Sequence, residues 1–223
     1  MFILLILIMG VSWFVGWKFK SRFNEFAQIP LSSGLSGKEV AEQMLSDHGI
    51  VDVKVISVEG QLTDHYNPLE KTVNLSPDVY HGKSIASAAV AAHECGHAVQ
   101  HSKAYAWLNF RSAMVPAISV SSQYMQWILL GGILLLNVFP ALLFIGIIMF
   151  SLTTLFSFVT LPVEFDASRR ALVWLDNKGI TRSVEHESAK NALWWAAMTY
   201  VVAALASLAT LLYYIAIFSG RRN

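Results

Sequence analysis

The sequence predicts a mainly α membrane protein, with four transmembrane helices and a small α+β domain on the cytoplasmic side. Three observations lead there. Of the 223 residues, 55% are hydrophobic and only 14% are charged, against about 25% charged in an ordinary soluble domain. Residues 113–161 contain no charged side chain. Residues 93–97 read His-Glu-Cys-Gly-His within an Ala-rich stretch. The net charge of +1 gives no reason to expect a nucleic-acid partner. Cys95 is the single cysteine, so no internal disulfide can form.

In chain order, residues 1–17 are apolar and uncharged, and Lys18, Lys20 and Arg22 follow. A cleaved secretory signal has its basic residues first. The reversed order predicts a retained anchor helix whose basic end lies inside. Residues 28–111 form the main soluble segment. Ser36 and Glu39 make a capping box that opens a helix to about His48, stopped by Gly49. Residues 51–58 alternate and are rich in Val and Ile, which predicts a strand. Residues 61–70 contain Asp64, Asn67 and Pro68 and read as a loop. Residues 71–75 read as a second strand, which could be an edge that pairs with an extended peptide. Ser76, Pro77 and Asp78 open a helical turn, and Ser84 caps an Ala-rich helix over 84–101. The expected order is helix, strand, strand, helix.

The uncharged run is too long for one crossing, which needs about twenty residues. A turn at 137–140, ending in Pro140, divides it into spans at about 116–136 and 139–161. Residues 162–190 carry five Lys and Arg side chains and belong inside, with a helix over 164–176. Residues 192–218 are the last span, which sends Arg221 and Arg222 outside. The expected layout is an anchor at 1–22, a first catalytic part at 23–111, a hairpin at 112–161, a second catalytic part at 162–191, and a final span with its tail at 192–223. Tryptophans 107, 127, 174, 194 and 195 fall near span ends, as an interfacial belt requires.

On a helix, residues four apart lie about 40° apart around the axis and about 6 Å apart along it. His93 and His97 can therefore grip one Zn²⁺ together. Neutral imidazoles leave the metal a strong Lewis acid, and Glu94, about 100° around the helix, is placed to act as general base on metal-activated water. Cys95 occupies an interior position of the motif and is expected to pack. A third ligand is required. A metzincin extension fails, because Gln100 and Lys103 stand where its Gly and His belong. His101 lies too far along the helix and is expected at the rim. The second inside segment offers Glu164, with Asp166 as the alternative. Asp64, His65 and Tyr66 could form a wall of the site, with His65 or Tyr66 donating to an oxyanion. Arg169 or Arg170 could pair with Asp166 or serve that oxyanion, or simply flank the membrane.

Residues 93–97, together with Leu161-Pro-Val-Glu-Phe-Asp-Ala-Ser-Arg-Arg170 and Asp64-His-Tyr-Asn-Pro68, resemble the YugP-like bacterial membrane zinc metallopeptidases over nearly the whole chain. The sequence is similar, more distantly, to HtpX-type and CAAX-prenyl membrane proteases. The resemblance implies a gluzincin-like, zincin-type domain in a bacterial plasma membrane. It also implies that Glu164 is the third ligand of one catalytic zinc. Those relatives carry an Asp four residues beyond the ligand. Ser168 stands there, and Asp166 could supply the contact instead.

The expected activity is hydrolysis of membrane-proximal or unfolded polypeptides by a membrane-bound zinc endopeptidase. The alternatives are a non-enzymatic zinc-containing assembly or quality-control factor, and a metal hydrolase acting on a lipid or small amide.

Overall fold

The computed structural model describes residues 2–220, with side chains from residue 6 onward. The expected placement of Arg221 and Arg222 lies outside the described residues. A long helix, α1 (Phe2–Ala27), leads into α2 (Gly37–Asp47). Both halves of the Ser36–Glu39 capping box are present, and Gly49 takes φ +69° just past the end of α2. Three short strands follow: β1 (Lys54–Ser57), β2 (His65–Asn67) and β3 (Thr72–Leu75). Then come the turn α3 (Pro77–Tyr80), the helix α4 (Ile85–Ser102), and three long helices, α5 (Ala106–Leu134), α6 (Pro140–Asn177) and α7 (Val184–Gly220).

The sheet corrects three expectations. Its order is β1-β3-β2, with β1 parallel and β2 antiparallel to β3. β3 is therefore the central strand, with its four residues buried, and not a free edge. β2 lies inside the stretch read as a loop. Only three residues pair there, a length at which tertiary pairing outweighs local turn chemistry. β1 is shorter than expected, because Val51 is 92% exposed and the ladder to β3 begins at Lys54.

The helices correct the boundaries. α5 and α7 begin well before their apolar runs. α6 runs straight through Pro162, where a helix start had been expected at Glu164. A proline inside a helix removes one backbone bond, and packing against neighbouring helices compensates for it. α6 lies along α4, α5 and α7 together. Gly179, at φ +64°, ends it.

One core gathers Val40 and Met44 of α2, Val73 and Leu75 of β3, and Val79 and Ile85. It also takes in the alanines of α4, Ala171 and Leu175 of α6, and Leu193 of α7. Ala has the best helix propensity and, after glycine, the smallest side chain, which lets α4 be buried on nearly every side. Cys95 packs into this core, its Sγ against the Ala41 carbonyl of α2. Among the described residues, α6 and α7 are long and apolar enough to cross a membrane.

Candidate metal centre and active site

Two elements distant in sequence deliver the site. α4 presents His93 and His97, and α6 crosses it and presents Glu164. A close approach makes the crossing possible. A Cβ placed on Gly96 would lie 2.6 Å from the Ala167 carbonyl oxygen of α6. Only glycine lets the two backbones meet one residue before His97.

Both imidazoles turn Nε2 toward one carboxylate oxygen. His93 Nε2 is 3.3 Å and His97 Nε2 3.7 Å from Glu164 Oε2. The potential donor atoms of these three residues all lie within 4.8 Å of one another, a group that could hold a metal ion. Tetrahedral zinc with bonds of about 2.0–2.1 Å separates neighbouring donors by about 3.3–3.4 Å. The donor set and its spacing therefore fit that ion.

The other ring nitrogens are occupied, which fixes how the rings face. Ser168 Oγ lies 3.0 Å from His93 Nδ1. Gln100 is fully buried; its Nε2 donates to the Val163 carbonyl at 2.8 Å and to Asp166 Oδ2 at 2.9 Å. That turns Gln100 Oε1 toward His97 Nδ1, 3.1 Å away, so Nδ1–H donates to it and Nε2 faces Glu164. Asp166 is held in turn by Arg169 and Arg170. The two residues weighed against each other for one contact each serve an imidazole: Ser168 directly, Asp166 through Gln100.

Burial pushes the Glu164 carboxyl up, but its hydrogen bonds to His93 and His97 outweigh that and hold it well below the usual carboxylate range. Burial likewise pushes the His97 imidazole down, and Glu164 more than reverses it. Asp166 is pushed up by burial, then held below its ordinary value by Arg169, Arg170 and Gln100.

Glu94 is 8% exposed, and its Oε2 accepts the Tyr66 backbone N–H at 3.0 Å. β2 thus borders the site through its main chain. Asp64, His65 and Tyr66 line the same cavity as His93, Glu94 and Glu164; Tyr66 Oη lies 2.8 Å from His101 Nδ1, while His65 contacts the Thr63 carbonyl and Asn74. Asp64 accepts from Ser76. Arg169 is 72% exposed at its side chain and does not line the site. His101 sits exposed at the rim, as expected.

Three residues near the centre have roles that the sequence reading does not assign. Arg111 of α5 approaches Glu164 Oε1 at 3.5 Å. Tyr200 of α7 lines the same cavities as Glu164. Gln100 carries the contact to His97, and its spacing three residues after that histidine was the available signal. Gln100→Ala is expected to weaken zinc affinity about 10–100-fold, read by competition with a chelating dye. Unchanged affinity would show that Gln100 does not orient His97.

The chain belongs to the family described as "Putative neutral zinc metallopeptidase", which matches residues 1–219. Among its relatives is the "Putative membrane protease YugP" of Bacillus subtilis (strain 168). The two are 41% identical over 222 residues, covering 99% of this chain and 97% of that protein. No solved structure matches the chain.

Proposed function

We propose that this protein is a membrane-bound zinc endopeptidase whose metal is held by His93, His97 and Glu164. The observation that carries this is the convergence of both Nε2 atoms on one Glu164 oxygen, with Glu94 beside them. Zn²⁺, when bound, supplies a Lewis acid that polarises a carbonyl and lowers the pKa of water. Glu94 takes the proton from that water as its oxygen attacks the peptide carbonyl carbon. The C–N bond then breaks, and Glu94 passes the proton to the leaving amine. The Tyr66 N–H holds Glu94 in place. Gln100 and Ser168 hold the two imidazole rings.

Four helices, α1, α5, α6 and α7, cross the bilayer in this reading. Large apolar side chains such as Trp13, Val120, Trp127, Leu205 and Leu212 are half exposed or more, which suits lipid and not water. Basic residues after the first span and in 162–190 put the centre on the cytoplasmic side, near the membrane surface. Its substrates are then membrane-proximal or unfolded polypeptides.

The test is chelator-sensitive cleavage of unfolded casein by the detergent-purified protein. Glu164→Ala is expected to lose both the zinc and the cleavage. Cleavage that survives removal of the metal would refute the assignment.

A further inference from the structure

Two cavities meet at the centre. One, of about 670 Å³, opens between β2 and α5; the other, of about 210 Å³, opens between α1 and α7. Both are bounded by Asp64, His93, Glu94, Glu164 and Tyr200. An extended polypeptide lying across His93 and Glu94 has one flank in each.

The smaller cavity has a distinct character. Its walls are Phe19 and Phe23 of α1, Leu62, Val90 of α4, and Leu193 and Ala196 of α7. The lining contains no lysine or arginine, and its carboxylates are Asp64, Glu94 and Glu164. Liquid water takes about 30 Å³ per molecule, so the space holds roughly seven water-sized groups. That is the size of a leucyl or benzyl side chain, and too small for a folded segment. Apolar walls favour such a group, and the carboxylates of Asp64 and Glu94 disfavour an acidic one.

We propose that the cavity between α1 and α7 receives a bulky apolar side chain, that of a residue flanking the cleaved bond; this rests on the peptidase reading above. The helices that build it are those that enter the bilayer, so the pocket selects apolar residues where a substrate leaves the membrane. The wide cavity accommodates the rest of the chain.

The experiment maps cleavage sites in unfolded casein by mass spectrometry, using the full-length protein in detergent with and without chelator. The expected result is Leu, Phe or Met at one fixed position beside the cleaved bond, with Asp and Glu excluded there. Ala196→Phe fills the pocket. It is expected to lower cleavage at bulky residues by about tenfold or more relative to Ala or Ser, with zinc content unchanged. Phe19→Ala enlarges the pocket and is expected to raise cleavage at Trp relative to Leu, which keeps the test alive should Ala196→Phe misfold. Chelator-sensitive cleavage without that preference, or with a preference indifferent to both variants, overturns the pocket and leaves the peptidase reading standing. No chelator-sensitive cleavage by the unaltered protein overturns both.

Discussion

Glu94→Gln is expected to slow casein cleavage by about 10²–10⁴-fold while one zinc per chain remains bound. The substitution keeps the shape of the side chain and an oxygen that can accept the Tyr66 N–H, now 3.0 Å from Glu94 Oε2. It removes only the capacity to take up a proton. Glu94 is not one of the clustered donors His93, His97 and Glu164, so metal binding should not depend on it. Paired rate and metal measurements separate the two roles. A variant that cuts casein at the normal rate rules out Glu94 as the base. Cells whose growth defect is complemented equally by the variant and the parent would favour the assembly-factor alternative.

Gly96→Ala is the second large effect. The added Cβ would sit 2.6 Å from the Ala167 carbonyl oxygen, a backbone atom that cannot swing aside. α4 and α6 must separate, and overpacking of this kind costs about 1–3 kcal/mol. More damaging is the displacement, since a 1 Å misplacement can cost about 10²-fold in rate. The expected outcome is weakened zinc binding and a loss of activity of at least that size, with helix content retained by circular dichroism. Shaving Ala167 to glycine should not rescue it, because the clash is with main chain. Gly16→Ala in α1 is the matched control: a Cβ there meets nothing within 4 Å. Normal zinc affinity in Gly96→Ala would mean the helices do not meet as described.

Features with a local cause were legible in the sequence. The capping box at Ser36, the cap at Ser84 and Gly49 just past α2 each act within one turn of helix, and each is found where the residues put it. The HExxH helix was readable because its spacing alone sets which side chains share a face. Features with a distant cause were not. β2 exists only because β3 lies beside it, and three residues of Asp- and Pro-flanked chain carry no strand signal of their own. Pro162 suggested a break, but α6 is supported on three sides and continues. Glu164 is legible because it follows the hairpin on the side of the bilayer that the basic residues assign to α4. Arg111 and Tyr200 could not be found that way, because a long apolar helix hides which of its faces turns inward. Gln100 has no role in the sequence beyond standing where another motif needs glycine.

Gln100 and Asp166 touch although 66 residues separate them, and the donors on α4 and α6 are divided by the same hairpin. On the proposed reading, a chain still on the ribosome carries both imidazoles long before its third donor has been made. It is chemically silent until α6 has been synthesised, folded back and locked against Gly96. Hydrolytic power therefore arrives late in biogenesis, after the hairpin of α5 and α6 has formed.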